Sequence, residues 1–171
     1  GIIAADRTYH PHTYEVAYQY RSILTSAENP MSGVVNVYNE NFFIDLSRYN
    51  MSWTVEVEGA GVLSGSYRMP AIAPGQTQEI DLGFNAADIM EACKVNDLTG
   101  LNVYLTVRYT LNRADGILPA GFEVAYDQIC IQDPALEEFV NTSGLPDYAT
   151  VDGKHVFSGE MAYEGATGQR V

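Results

Sequence analysis

The chain has 171 residues, 46% of them hydrophobic and 18% charged, which is one domain of ordinary size, or one plus fragments of its neighbours, with ample material for a core. Its net charge of −13 and nine basic residues, scattered singly along the sequence, exclude the clustered Lys and Arg that a nucleic-acid binder needs and disfavour an anionic membrane surface. No apolar run approaches the roughly 18 residues that cross a bilayer.

Twelve tyrosines favour strands and contact surfaces over a helical bundle. Cys93 and Cys130 make neither a disulfide framework nor a zinc set, and they leave the redox compartment open. The opening Gly1-Ile-Ile-Ala-Ala-Asp-Arg lacks the basic and apolar regions of a signal peptide. Both ends read as cuts through a longer chain.

The segment Asp6 to Arg21 opens with a turn and continues into a short amphipathic helix. Pro11 suits its start, and Tyr14, Ala17, Tyr18 and Arg21 share one face. Thr25 to Gly33 has the composition of a loop. From Val34 the pattern turns to strands. Val35 and Val37 alternate with Asn36 and Tyr38, Asn39-Glu40-Asn41 breaks the run, and Phe42-Phe43-Ile44 resumes it. Asp45 to Asn50 is a polar turn with Leu46 and Tyr49 as apolar plugs.

Trp53, Val55 and Val57 alternate with Thr54, Glu56 and Glu58, the pattern of a half-buried strand. Gly59-Ala60-Gly61 connects this strand to a second one, Val62 to Met69. Ala73-Pro74-Gly75-Gln76 is a turn, and Thr77 to Leu82 a further strand. Ala86 to Lys94 is a short helix capped near Asn85. Leu101, Val103, Leu105, Val107, Tyr109 and Leu111 give the clearest alternation of all, with Asn102, Thr106, Arg108 and Thr110 on the other face. After the loop Asn112 to Gly121, Phe122, Val124 and Tyr126 alternate with Glu123, Ala125 and Asp127 in a last strand to Ile131.

About seven strands between Gly33 and Asp133, without crossover helices, predict an immunoglobulin- or fibronectin-like antiparallel β-sandwich with a short N-terminal helix. Trp53 is its natural core anchor. Beyond Asp133, Leu136 to Val140 suggests a helical turn and Asn141 to Asp147 a linker. Val151, His155 to Phe157 and Met161 to Tyr163 read as short strands.

Asp6-Arg7-Thr8-Tyr9-His10-Pro11-His12 is the densest polar cluster, but His10 and His12 have no third ligand at a helical spacing. An ion pair of Asp6 with Arg7 or a neighbour is its structural reading. Retaining or inverting glycoside cleavage needs two carboxylates about 5–9 Å apart. Glu56 with Glu58, and Glu137 with Glu138, are paired without an obvious pocket and read as solvated faces. No nucleophile elbow or P-loop occurs. Cys93 reads as a helix-packing residue. Asn50-Met51-Ser52 and Asn141-Thr142-Ser143 match the glycosylation sequon, a short pattern frequent by chance. Tyr104, with Tyr38, is a candidate exposed aromatic for sugar stacking or for packing a neighbouring domain.

Several of these segments resemble large family 2 β-galactosidases. Gly1-Ile-Ile-Ala-Ala-Asp6-Arg7-Thr8-Tyr9-His10-Pro11-His12 resembles the end of their catalytic barrel, with Tyr9 in place of the usual first proline. Leu46-Ser-Arg-Tyr49, Met51-Ser-Trp53-Thr-Val55 and Ile72-Ala-Pro74-Gly75 resemble their Leu-Ser, apolar-x-Trp and Ile-Ala-Pro-Gly motifs. Tyr104-Leu-Thr-Val107-Arg108 and Pro119 to Gln128 resemble their last two strands, with Tyr126 where tryptophan is common. Val151 to Gly159 and Ala166 to Val171 resemble the opening of the C-terminal super-sandwich domain.

The resemblance implies three parts. Residues 1–24 would be the end of a barrel, 25–133 the Ig-like sandwich, and 134–171 a linker with the first strands of a C-terminal β domain. It implies a parent hydrolysing terminal β-D-galactosides with retention, as part of carbohydrate metabolism. The parent's two glutamates and its magnesium and sodium ligands fall upstream of Gly1. No catalytic, cofactor or metal residue therefore carries over to this chain. The implied partners are the barrel and the C-terminal domain of the same chain, in a parent that forms homo-oligomers. An exposed apolar patch around Ile2, Ile3 and Tyr14 to Tyr20 is expected where the barrel docks. The other reading is a carbohydrate-binding module using exposed tyrosines.

Overall fold

The structure, a computed structural model, describes residues 3–133 together with the backbone of three strands between 148 and 164. Contacts divide the chain into two units, Gly1–Ala135 and Leu136–Val171. The first is an antiparallel sandwich of seven strands. In chain order they are β1 (Ile23–Ser26), β2 (Val34–Asn39), β3 (Tyr49–Val57), β4 (Ala60–Arg68), β5 (Thr77–Asp81), β6 (Val103–Leu111) and β7 (Glu123–Gln132). One sheet runs β1-β2-β5 and the other β4-β3-β6-β7. Two short helices accompany them, α1 (His12–Gln19) and α2 (Ala86–Cys93).

The alternation in the sequence becomes the two inner faces. Val35 and Val37 of β2, Met51 and Val55 of β3, and Val103, Leu105 and Val107 of β6 are fully buried. Each such side chain contributes about 1.5–3 kcal/mol of transfer free energy, an upper estimate against a compact unfolded chain. Leu46 and Tyr49, the expected plugs of the polar turn, are buried as well. Trp53 packs half-buried against this core, its ring 5.1 Å from that of Phe84. Its cross-strand neighbour is Gly65, where a Cβ would lie 2.6 Å from the indole, so the missing side chain is what admits the ring.

Local chemistry sets the connections. The β3–β4 hairpin turns on Glu58 and Gly59, both with positive φ, as a two-residue turn matched to strand twist requires. Glu58 Oε1 then accepts the Asn102 N–H at 2.6 Å and joins this turn to the approach of β6. α2 starts with a capping box: Asn85 Oδ1 accepts from the Ala87 N–H and Asp88 Oδ2 from the Asn85 N–H, each at 2.8 Å. The expected cap at Asn85 is therefore present with its reciprocal partner.

Three segments differ from their sequence reading. Thr25 and Ser26, assigned by composition to a loop, lie in β1, because β2 pairs with that strand along its whole length. Phe42 to Ile44, expected as a strand, is a bend. The seventh strand therefore precedes Gly33 instead of following Asn41. In β7 Ala125 and Asp127 are buried, Val124 packs on the core beside the register shift, and Tyr126 lies outside it against Tyr18 of α1. A carboxylate displaces aromatic residues from the core side there because its charge is paired, as described below.

In the second unit, β8 (Tyr148–Val151), β9 (Lys154–Phe157) and β10 (Ala162–Glu164) form an antiparallel meander in chain order. This agrees with the short strands read from the sequence there. The helical turn expected at 136–140 and the linker at 141–147 lie outside the described residues.

Gly33 links the fold to a single backbone contact. It has φ +72, and a Cβ would fall 2.2 Å from the Phe84 carbonyl oxygen. Gly33→Ala is expected to cost about 1–3 kcal/mol through strain and displacement of that backbone. Urea denaturation checks it, and an unchanged midpoint would refute the contact.

Candidate functional site

The feature that stands out on the sandwich is an apolar face at one end. α1 buries none of its residues, although its tyrosines share a face as the spacing predicts. It lies along β7, with the Tyr18 ring 5.1 Å from Tyr126. Ile3, Tyr9, Tyr14, Ala17, Phe122 and Tyr126 line a groove of about 450 Å³ between them. A second groove of about 490 Å³ adjoins it, lined by Tyr20, Phe42, Phe43 and Ile44. Tyr20 is 83% exposed, Phe42 85% and Phe43 95%. Isolated exposed apolar residues are ordinary, but a contiguous group marks a contact surface. The expected patch around Ile3 and Tyr14 to Tyr20 thus exists and extends to Phe42 and Phe43. Ile2 lies outside the described residues.

Two buried polar groups hold this face in place. Asp127 is 4% exposed. Its Oδ1 accepts from Arg21 Nε at 3.1 Å and Nη2 at 2.8 Å, and its Oδ2 accepts the Thr25 N–H at 2.7 Å. Arg21 Nη1 donates to the Tyr18 carbonyl at 2.7 Å, and the guanidinium lies 3.7 Å over the Tyr18 ring. The last turn of α1 is thereby fixed to β7. Thr25 Oγ1 also meets the Tyr109 hydroxyl at 2.6 Å. Burial holds the Tyr109 phenol well above its ordinary range, more strongly than the Thr25 hydrogen bond lowers it.

Asn39 is the second group, fully buried at the end of β2. Its Nδ2 donates to the Ile44 and Ile72 carbonyls at 2.9 and 2.8 Å. Its Oδ1 accepts from the Asn41 N–H and side-chain amide at 3.0 and 2.8 Å. The amide is fully used, and the loop carrying Phe42 and Phe43 is closed around it. Sequence reasoning treated Asn39 only as a strand break. Its one legible signal was an inward position in the Val35, Val37 alternation.

The other sequence candidates separate. Asp6 accepts from the Thr8 N–H and hydroxyl at 3.0 and 2.7 Å instead of pairing with Arg7, and these bonds hold its carboxyl below the usual range. The His10 and His12 rings stack 5.3 Å apart. Among the described residues no three His, Cys, Asp or Glu side chains gather. Glu56 accepts from the Thr106 hydroxyl, while Glu58 caps Asn102 from the turn. Glu137 and Glu138, with the sequon at Asn141, lie outside the described residues. Cys93 packs on the core. Cys130 is exposed, with its thiol pushed up by desolvation and by Asp133, the reverse of an activated nucleophile. Tyr38 and Tyr104 are half-buried on the outer faces of different sheets, so they form no common stacking row.

With this geometry in place, comparison with known proteins is specific. The family described as β-galactosidase, domain 4, matches residues 35–132, more than half of the chain and from the second strand of the sandwich to its last. The chain belongs to the β-galactosidase domain 4 family. It is 29% identical over 152 residues to a β-galactosidase of Priestia megaterium, covering 89% of this chain and 14% of the relative. It is 27% identical to a β-galactosidase of Clostridium acetobutylicum, covering 78% and 13%. A Vibrio vulnificus β-galactosidase is also 27% identical, covering 79% and 12%. The chain therefore spans about one-seventh of the length of these relatives. The family assignment agrees with the motifs running from Leu46 to Gln128.

Three outcomes test this domain 4 scaffold. Arg21→Met leaves a buried carboxylate without its cation and is expected to cost about 3–5 kcal/mol. A double-mutant cycle with Asp127→Asn, read by urea denaturation, should return a coupling of about 0.5–3 kcal/mol, and zero coupling would refute the pair. Asn39→Ala leaves the Ile44 carbonyl and the Asn41 N–H without their side-chain partner, while the Ile72 carbonyl keeps the Leu46 N–H, and should cost about 1–3 kcal/mol, measured the same way. For Tyr109 the folded state keeps a proton that the unfolded chain loses near pH 10. Stability is thus present below that pH and falls as pH rises toward the folded value. Tyr109→Phe should flatten this alkaline loss in a pH series of denaturation midpoints.

Proposed function

We propose that this domain is a non-catalytic structural and linking module of a β-galactosidase. In this reading the parent chain cleaves terminal β-D-galactosides with a pair of carboxylates outside these residues. Magnesium and sodium belong to that part of the parent too. The sandwich holds the parent's other domains in their relative places. Residues 1–24 are the end of the catalytic barrel, and β8 to β10 open a C-terminal β domain.

The observation that carries the reading is the apolar face formed by α1 and the Phe42–Phe43 bend. Each of its grooves has a single carboxylate, Glu40 in one and Glu123 in the other, and Glu123 is paired with Arg108 at 2.8 Å. Glycoside cleavage uses two. What the face offers instead is aromatic and aliphatic surface of the kind found at interface cores. Domain contacts within one chain use such surfaces.

Two measurements test this. The purified chain should not hydrolyse a chromogenic β-galactoside, and turnover that survives purification controls would overturn the reading. Replacing Tyr20, Phe42 and Phe43 by serine should leave the isolated chain's stability within about 0.5 kcal/mol per site. The same triple variant in the complete parent should lower its thermal midpoint or activity. An unaffected parent would argue against docking through this face.

A further inference from the structure

Three of the chain's nine basic residues, isolated in the sequence, converge in space. Arg48 closes the short turn Leu46–Arg48, Arg68 ends β4, and Arg113 follows β6. They line one polar groove of about 550 Å³ with Ser47, Asn50 and Asn112. The groove lies at the end of the β4-β3-β6-β7 sheet where β3 begins and β4 and β6 finish. Its base is fixed by backbone. Asn50 pairs with Arg68 across the ladder. The Asn112 N–H donates to the Arg48 carbonyl at 3.0 Å, and its Nδ2 to the Ser47 carbonyl at 2.9 Å.

The charges in this groove are poorly compensated. Arg48 Nη2 pairs with Asp115 at 2.8 Å, but its buried Nε has no hydrogen-bond partner. No carboxylate among the described residues pairs with Arg68 or Arg113. Asp45, whose carboxylate accepts the Ser47 N–H at 2.8 Å, does not line the groove but adds a second negative charge close to Arg48. Arg48 is thus compensated by Asp115 and Asp45, and Arg68 and Arg113 are the two guanidiniums of the groove without a carboxylate partner among the described residues. Like charges brought together in this way repel, and a chain of net charge −13 has little basic material to place there. A doubly charged anion removes that repulsion. Guanidinium forks match its oxygens in pairs.

We propose that this groove binds a doubly charged tetrahedral oxyanion of the phosphate class, either free or as the ester group of a small molecule. Arg68 and Arg113 supply the forks, and the Asn50 side chain lies within the same groove. The acidity of the rest of the chain excludes an extended polyanion.

Calorimetric titration of the 171-residue chain tests this, with sodium phosphate and separately a hexose phosphate, chloride being used to match ionic strength. Saturable heat is expected. The exposed-site variant Arg68→Gln/Arg113→Gln should bind at least about tenfold more weakly, having lost two charged forks. Arg7→Gln/Lys94→Gln removes the same charge elsewhere and should bind as the parent sequence does. Saturation by inorganic phosphate as tight as by the ester assigns a free anion, and tighter binding of the ester assigns an ester ligand. Absence of saturable heat with both probes overturns the proposal. So does equal weakening in the Arg7→Gln/Lys94→Gln control, which would reduce the effect to net charge.

Discussion

The Asp127 carboxylate is the constraint on which much of this architecture rests. A charge on the inner face of a strand is expensive unless it is paired and its lone pairs are filled. Asp127 meets both conditions with groups from the other side of the sandwich. Arg21 supplies two N–H donors, and the Thr25 backbone supplies the third bond. These contacts bring β1 of one sheet to β7 of the other. Through the Tyr18 carbonyl they also fix the end of α1. Without them the short helix, which buries no residue of its own, has little to hold it on the sheet.

The same logic recurs at Asn39. A buried amide with every donor and acceptor used is rigid, because any movement orphans a polar group. It closes the bend that presents Phe42 and Phe43 to solvent. Two buried polar centres thus position an exposed apolar face. For a module that packs against neighbouring domains this division is physically sensible. Preorganised apolar surface loses little conformational entropy when it is covered.

Much of the sandwich was legible before the structure because its strands are half-buried. Val103, Leu105, Val107 and Tyr109 alternate so regularly that the inner face of β6 follows directly from them. The cap at Asn85 was legible because capping chemistry is local. Phe42 to Ile44 misled because an apolar run carries no mark of whether it faces a core or a partner. β1 was missed in part because Thr25 and Ser26 have turn composition, and only the pairing with β2 makes them a strand. The inner face of β7 was hidden because Asp127 looks like a solvent residue until Arg21, 106 positions away, is placed beside it.

The sequence by itself determined the class of fold, the register of inside and outside in β2, β3 and β6, and membership of the β-galactosidase domain 4 family. These are encoded in local periodicity and ordered motifs, which survive without knowledge of distant contacts. The tertiary structure alone decided which polar residues are buried and which basic residues meet. Arg48, Arg68 and Arg113 read as scattered charges along the chain. They become one groove only because antiparallel pairing returns β4 and β6 to the same end of the sheet where β3 begins. Long-range pairing of this kind is set by the whole core at once, and no window of neighbouring residues contains it.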